Sequence, residues 1–323
     1  MKDPFAIPPK FFLPDNVRES LRRDPLRFAD VGGAMGLGER WNPVRDCLEV
    51  MSFEPDARSG ADGTVHRIAL GDKQQKSRTL HLARMSAASG FYDHHPEMKR
   101  FVVDEWLETV GSESVATTTL DHVSDGKPVD FLKLDVEGAE LEVLRGAGET
   151  LKNVLALQVE VSFTERHVGA PLFAEVDSFL IDHGFRLHHI ESERWLRNNK
   201  TCGSNSNAQL IWGDAVYLRN HADWIEDDFP KWLLILQAYG FHDYGVDRLP
   251  EDWRMALQRA VRSHGTFFAM TAWRWILATL LMPVLWKKML PRWKRLTARI
   301  ASTAQRLAVR TGPGNGIFPS GPS

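Results

Sequence analysis

The sequence has very few cysteines, and their placement excludes two classes of protein. Cys47 and Cys202 are the only thiols, and they lie far apart with no CxxC pair and no zinc-ligand spacing. A disulfide framework and a zinc-binding domain therefore do not fit. Such sparse cysteine is typical of a protein in a reducing compartment.

Features of export and of nucleic-acid binding are also missing. The N-terminus carries an early acid and three prolines before residue 10, so it lacks the apolar run of a signal peptide. The formal net charge is only −2, which gives no reason to expect a nucleic-acid partner. We therefore expect a cytoplasmic protein that binds no nucleic acid.

What the sequence does contain is an alternation of apolar runs and helical patterns from residue 26 to about residue 190. This alternation predicts right-handed βαβ units, and hence an α/β fold with a doubly wound, mostly parallel sheet. Two short extra strands are expected around an irregular insert, at Thr79–Leu82 and Val115–Leu120. The other predicted strands are Leu26–Val31, Val50–Phe53, Val65–Leu70, Val129–Asp135, Val154–Val161, Phe185–Ile190 and Gln209–Leu218, and the helices are Glu39–Glu49, Glu137–Leu151 and Pro171–His183.

Composition divides the chain into four regions. An N-terminal extension, residues 1–25, precedes the α/β domain at 26–222. Residues 223–310 form a C-terminal appendage that is rich in Trp, helical in its spacing and basic towards its end. The tail 311–323 is rich in Gly, Pro and Ser and is expected to be disordered.

A glycine-rich turn, Asp30-Val-Gly32-Gly33-Ala-Met-Gly36, follows the first predicted strand. Ligands of open α/β sheets bind at the carboxyl ends of strands, where glycine lets the backbone approach them closely. No frame gives the GxGxxG dinucleotide fingerprint, which argues against a nicotinamide-dependent enzyme. The looser D-x-G-x-x-x-G spacing is similar to the turn of class I methyltransferases. An ordinary tight turn between a strand and a helix could have the same spacing.

Acidic residues end the next two predicted strands. Glu54 lies 24 residues after Asp30, the spacing that one βαβ unit requires. An acid at this position can accept hydrogen bonds from ribose hydroxyls, and the alternative is an exposed loop acid before Pro55. Asp72, which closes the third predicted strand, is assigned to the same cofactor site.

Charged residues interrupt a strand that should be apolar on both faces. Lys133 and Asp135 are two residues apart and therefore point to the same face. Buried charges need partners, so a structural ion pair between these two residues is one interpretation. The functional interpretation is that Asp135 reaches the edge of the sheet beside Glu137.

Glu160 ends the neighbouring apolar run and is expected close to Asp135 and Glu137. Three converging carboxylates repel one another unless a proton, a cation or a substrate that needs a base is accommodated. A general base or a divalent metal site could result; the ligand set would suit Mg²⁺ or Mn²⁺, but the sequence itself establishes no metal. The insert's histidines, His81, His94 and His95, are expected to be exposed loop residues.

Residues 131–147, FLKLDVEGAELEVLRGA, resemble the FkbM family of methyltransferases. The resemblance continues through Leu157–Glu160 and Phe173–Phe185 and covers roughly residues 26–220. It implies a class I methyltransferase fold, S-adenosylmethionine as the methyl donor, and O-methylation of hydroxyls on sugars, glycolipids or polyketide-like products.

Carried over by position, the resemblance assigns roles to individual residues. The donor would lie against Asp30, Gly32 and Gly36, with Glu54 on its ribose. The carboxylates of Asp135, Glu137 and Glu160 would face the acceptor. Because an alcohol must lose its proton as it attacks, our own hypothesis is that Glu160 or Glu137 is the general base. The family usually has Gly-Ala-Asn in the turn where this chain has Gly32-Gly33-Ala34, which removes one polar contact near the donor. The alternative is a non-catalytic scaffold or partner-binding subunit that keeps the nucleoside pocket.

The C-terminal appendage contains a long apolar segment, residues 266–286, followed by eight Lys or Arg and no acid from Lys287 to Arg310. The segment is long enough to span a bilayer, but Arg274 and Pro283 interrupt it. A helix that lies in the membrane interface, with its basic residues on anionic lipid headgroups, fits better. Packing against the α/β domain or against a second copy in a homo-oligomer is the remaining alternative.

Overall fold

The computed structural model describes residues 11, 13–59, 65–101, 107–198, 206–255 and 258. The proposed interfacial segment 266–310 and the tail 311–323 lie outside these residues. Among the described residues, no helix is long and apolar enough to cross a membrane.

Within the part of the chain that the structure describes, ten strands form two sheets, one of seven strands in the order β3-β2-β1-β7-β8-β10-β9 and one of three in the order β4-β6-β5. Their bounds are β1 Leu26–Val31, β2 Leu48–Phe53, β3 Val65–His66, β4 Ala69–Leu70, β5 Gln75–Ala83, β6 Thr109–Thr118, β7 Phe131–Leu134, β8 Ala156–Ser162, β9 Phe185–Trp195 and β10 Gln209–Arg219.

The large sheet is mostly parallel and confirms the predicted fold class. Strands β3, β2, β1, β7 and β8 are parallel, and β10 runs antiparallel between β8 and β9. Chain order reverses at β1, since β2 and β3 lie on one side of it and β7 and β8 on the other. In open α/β sheets this reversal opens a ligand-binding crevice at the carboxyl ends of the central strands.

Among the described residues, the α-helices are α1 Asp15–Arg23, α2 Leu120–Ser124, α3 Glu140–Arg145, α4 Phe173–Asp182 and α5 Phe229–Tyr239, and residues 251–255 are also helical. α4 confirms its prediction, including Gly184 just beyond its end in the left-handed conformation (φ +85°). α5 is buried along almost its whole length and packs with α1 on one face of the large sheet.

Three elements of the structure differ from those predicted from the sequence. The helix predicted at Glu39–Glu49 is a 3₁₀ segment, Glu39–Cys47, because Pro43 removes a backbone donor and Val44 departs from helical angles. The strand predicted at Val65–Leu70 divides into β3 and β4, since the chain turns where the Ile68 amide donates to the His66 carbonyl. The long helix after Asp135 shortens to α3 because Glu137 and Gly138 both adopt positive φ.

One face of the large sheet changes character along its strands. Its lower part is apolar, with Phe28 and Phe131 stacked at 4.8 Å and covered by Trp41, α1 and α5. Two residues further along β1 and β7, on the same face, lie Asp30 and Lys133. The sheet therefore buries its lower half in the core and presents polar side chains towards the carboxyl ends of its strands.

Candidate active site

The glycine-rich turn packs against β7 so tightly that a side chain would not fit. Gly32 has φ +85°, and a Cβ there would lie 1.7 Å from the backbone oxygen of Asp135. A Cβ on Gly33 would lie 2.1 Å from the Ser52 hydroxyl. The turn thus holds the end of β1 directly against the residue that begins the carboxylate motif.

Replacing Gly32 with alanine is therefore expected to destabilise the protein severely. The left-handed conformation alone costs an alanine roughly 1–2 kcal/mol, and the Asp135 carbonyl must also move. Urea unfolding of Gly32→Ala should show a clearly lower midpoint than the parent protein. Gly38→Ala is the matched control, because Gly38 has φ −57° and nothing within 4 Å of its Cβ position; equal midpoints in the two variants would contradict the prediction.

A cavity opens at the carboxyl ends of β1 and β2, where ligands of open α/β sheets bind. Gly32, Met35 and Glu54 line it from the large sheet, and Leu80 and Phe91 line it from the small sheet and the insert that follows. Asp135 lies at the same cavity, so the donor-side and acceptor-side residues predicted from the sequence meet there.

Glu54 is buried at the cavity wall with only 6% of its surface exposed. Its Oε1 accepts a hydrogen bond of 2.8 Å from the Asp56 amide. Burial raises the pKa of the Glu54 carboxyl to about 7, despite this hydrogen bond. Glu54 thus lies at the cavity wall, and its ribose-binding role stays a prediction.

The other residues predicted for the cofactor site lie elsewhere. Asp30 is buried behind the turn, where Lys133 Nζ lies 3.3 Å from its Oδ1. Gly33 and Gly36 shape the turn without lining the cavity. Asp72 lines a separate polar cavity beside Arg78 and Glu142, because the small sheet carries it away from Glu54.

Lys133 confirms the ion pair considered as the structural interpretation and extends it. Its Nζ lies 3.3 Å from Asp30 Oδ1 and 3.5 Å from Asp135 Oδ2. The lysine thus links the buried acid of β1 to the acid at the cavity. This ion pair does not prevent Asp135 from acting at the edge of the sheet, since 34% of its side chain is exposed.

Asp135, Glu137 and Glu160 converge as predicted, and we refer to them as the carboxylate cluster. One carboxylate oxygen from each lies within 4.8 Å of the others. Burial distinguishes them, because the side chains of Glu137 and Glu160 are only 11% and 7% exposed. The spacing of these oxygens would permit a metal ion.

A cation that the sequence analysis missed already neutralises part of the cluster. Arg166 is buried, and its two terminal nitrogens lie 2.8 Å from Glu137 Oε2 and 2.8 Å from Glu160 Oε1. The guanidinium supplies the positive charge that three converging carboxylates require. The sequence shows only that an arginine lies six residues after Glu160. An exposed loop would contain such an arginine equally well, so the sequence did not point to Arg166.

The three carboxylates differ in their acidity. Burial opposes ionisation of Glu137, but Arg166 and His167 overcome it and lower its pKa to about 2. Burial outweighs Arg166 at Glu160 and raises the pKa of that carboxyl well above its ordinary value. Burial and the neighbouring acids also raise the pKa of Asp135, to about 6, against the attraction of Lys133.

Histidines cover the carboxylate cluster, contrary to the expectation that the insert's histidines are exposed. His94 pairs with His167 through an isolated β-bridge, and their rings lie 4.9 Å apart. His167 is buried, with Nε2 3.4 Å from Glu137 Oε2. His81 and His95 are half-buried beside acids, at 3.3 Å from Asp93 and 3.6 Å from Glu165 respectively.

Glu140 is a further residue that the sequence analysis missed. It is buried at the start of α3, and its Oε1 accepts hydrogen bonds from the amides of Val136 (2.9 Å) and Gly138 (3.3 Å). These bonds hold the loop in which Glu137 adopts φ +53°. Glu140 therefore positions Glu137 without reaching the cavity.

Comparisons with known proteins agree with this arrangement. Residues 41–187 match the family model described as the methyltransferase FkbM domain. No curated protein matches the sequence significantly. Because the family model itself covers β2 through the start of β9, its match includes Glu54 and the whole carboxylate cluster.

Two solved structures are distantly similar. The FkbM methyltransferase from Methylobacillus flagellatus KT is 15% identical, with a TM-score of 0.32 over 60% of this chain and 44% of that chain. Magnesium protoporphyrin IX methyltransferase from Synechocystis PCC 6803, solved with bound S-adenosylmethionine, is 13% identical, with a TM-score of 0.30 over 64% and 77%. The chain thus spans less than half the length of the Methylobacillus protein. Residues 41–187 of this chain are thus similar to the methyltransferase FkbM domain.

Proposed function

We propose that the protein transfers a methyl group from S-adenosylmethionine to a hydroxyl of a sugar, a glycolipid or a related natural product. The observation that carries this proposal is the position of Asp135. Its side chain lines the cavity at the carboxyl ends of β1 and β2 and also belongs to the carboxylate cluster. A donor in the cavity and an acceptor at the cluster would therefore meet at one residue.

The cavity offers contacts suited to the donor. The Glu54 carboxylate would accept hydrogen bonds from the ribose hydroxyls, and Gly32 lets the backbone approach the ligand. The donor supplies an electrophilic methyl group on a positively charged sulfonium. The acids around the cavity favour a cationic ligand over an anionic one.

Asp135 is the best placed of the three carboxylates to act as the general base. Its carboxylate is the most exposed, and its pKa of about 6 leaves it ionised yet basic near neutral pH. Glu137 is held by Arg166 with a pKa of about 2, which makes it a weak base. The proton of the acceptor hydroxyl would thus move to an Asp135 oxygen as the hydroxyl oxygen bonds to the methyl carbon, while the bond between that carbon and the donor sulfur would break and leave neutral S-adenosylhomocysteine.

Two measurements test the proposed function. Calorimetry should detect S-adenosylmethionine binding to the purified full-length chain. Incubation with a donor that carries a labelled methyl group, together with glycan and lipid extracts, should label a hydroxyl-bearing product. Failure to bind the donor would overturn the proposal, and donor binding without any transfer would favour a non-catalytic role.

Donor affinity is expected to depend on pH through Glu54. Only the ionised carboxylate accepts hydrogen bonds from both ribose hydroxyls, and its pKa in the free protein is about 7. Because protonation removes the acceptor, affinity should fall as the pH drops below 7, by up to about tenfold per pH unit. Calorimetric titrations from pH 5.5 to 8.5 would measure this slope.

Glu54→Gln is the control for this pH dependence. The amide keeps the size of the side chain but cannot ionise, so the variant should bind weakly and lose the inflection near pH 7. An inflection that persists unchanged in Glu54→Gln would assign the effect to another group.

A further inference from the structure

The polar upper half of one sheet face continues well beyond the carboxylate cluster. Lys133 on β7 lies in register with Gln158 on β8, and on β10 Asp214 lies in register with Glu160 on β8 and Glu191 on β9. Residues paired across neighbouring strands project to the same face. We call this surface the polar strip, which consists of Lys133, Gln158, Asp214 and Glu191 with Arg40 and Tyr239 beside them.

Side-chain contacts join the strip into one network. The Tyr239 hydroxyl donates a 2.6 Å hydrogen bond to Gln158 Oε1. Arg40 donates a 2.7 Å hydrogen bond to Glu191 Oε1, and its guanidinium lies 4.5 Å from the centre of the Tyr239 ring. The Gln158 side chain is also hydrogen-bonded to Asp214.

The strip is within reach of a ligand. Glu191 is exposed and the other five residues are half-buried, in contrast to the fully buried apolar residues lower on the same face. Central strands of a largely parallel sheet are ordinarily apolar on both faces. Polar residues on four adjacent strands, arranged in register and partly exposed, are therefore better explained by a binding surface than by the core.

The strip begins at the proposed general base. Lys133 Nζ lies 3.5 Å from Asp135 Oδ2, and Asp135 in turn lines the cavity assigned to the donor. A molecule lying along the strip would present one end to Asp135. The donor and such a molecule would then approach the base from different sides.

We propose that the polar strip binds the methyl acceptor and that this acceptor is a neutral, polyhydroxylated molecule of oligosaccharide type. This inference rests on the proposed function. It adds where the methyl acceptor binds and that the acceptor carries no net charge.

The chemistry of the strip selects that class. A hydroxyl both donates and accepts hydrogen bonds, so it uses the carboxylates of Asp214 and Glu191 as well as the donors of Lys133, Arg40 and Gln158. A carboxylate or phosphate group on the acceptor could use only the donors and would be repelled by the acids. Within the strip the two acids, Asp214 and Glu191, balance the two cations, Lys133 and Arg40, so a net charge of either sign on the acceptor gains no overall attraction.

The binding test uses saturation-transfer NMR on the full-length chain. The probes are neutral glucose, galactose and mannose trimers, a galacturonic acid trimer and a glucosamine trimer, each with and without S-adenosylhomocysteine. At least one neutral trimer should bind, and more tightly than both charged ones. Asp214→Ala and Arg40→Ala should each weaken that binding about tenfold, whereas Glu113→Ala, an exposed acid on β6, should leave it unchanged.

The outcomes separate this inference from the proposed function. Calorimetry of S-adenosylhomocysteine on the same samples tests the donor site alone, and the strip variants should keep parental affinity for it. If that ligand binds but no neutral trimer does, the inference fails and the donor site stands. Preference for the acidic or the cationic trimer, or parental trimer binding in both strip variants, would also overturn the inference.

Discussion

Replacing Arg166 with methionine is expected to destabilise the folded protein by roughly 3–5 kcal/mol. The substitution removes the cation that lies 2.8 Å from both Glu137 and Glu160 and leaves two carboxylates buried without it. An uncompensated buried charge is among the most damaging changes a protein can suffer, because neither water nor a partner solvates it. Urea denaturation at pH 8 would measure the loss.

The pH dependence of the stability of Arg166→Met is a second test, because its direction can be predicted. In the parent, Arg166 and His167 keep the pKa of Glu137 near 2, so this carboxylate stays ionised between pH 5 and 8. Without Arg166 its folded-state pKa should rise above the unfolded value of about 4.3. Such a group favours folding at low pH and loses that contribution as the pH rises, so the stability gap between variant and parent should narrow from pH 8 to pH 5.

Arg23→Met is the matched control for Arg166→Met. Arg23 forms an ion pair with Glu19 in which both side chains are mostly exposed, and such surface pairs contribute about 0–1 kcal/mol. Comparable losses of stability in the two variants would show that Arg166 does not neutralise the cluster as its geometry indicates.

Replacing Asp135 with asparagine is expected to lower the turnover number by about 10²–10⁴-fold, the usual contribution of a positioned base. The amide keeps the shape of the side chain but cannot take the acceptor's proton. S-adenosylmethionine affinity should fall far less than turnover, because Glu54 and the Gly32 backbone still line the cavity. Single-turnover rates and calorimetric donor titrations would separate the two effects.

The pH profile distinguishes a base from a residue that only shapes the site. Since the pKa of Asp135 is about 6, the parental rate should rise with pH through 6 and then level off. That rise should be missing from the residual activity of Asp135→Asn. If Glu137→Gln or Glu160→Gln lowers turnover further at unchanged stability, or if Asp135→Asn keeps its full rate, the base must be reassigned.

Much of the fold followed from local pattern. Strand β1 begins and ends where its apolar run predicts, and the acids that end successive strands meet because carboxyl ends of parallel strands share one edge of the sheet. The repulsion argument for the three carboxylates also required a proton or a cation, and the structure supplies that cation in Arg166. The spacing of Glu54 from Asp30 correctly placed it at the cavity.

Other parts of the site depend on contacts that no local pattern contains. Arg166 and His167 reach the cluster because their loop pairs with the insert, where the His95 amide donates to the Arg166 carbonyl. Asp72 was assigned to the cofactor site as the acid that closes the third predicted strand, but the chain turn between β3 and β4 places the strand before it, β4, in the other sheet. Local sequence could not reveal that turn, since Arg67 and Ile68 are ordinary strand residues.

The position of β1 in the sheet has a consequence for cutting the chain. The family match begins at residue 41, whereas β1 ends at Val31 and lies between β2 and β7. Strand β10 follows the match and separates β8 from β9. A fragment limited to residues 41–187 would therefore lack both β1 and β10, so β7 and β8 would each lose one neighbouring strand, and we expect such a fragment not to form this sheet.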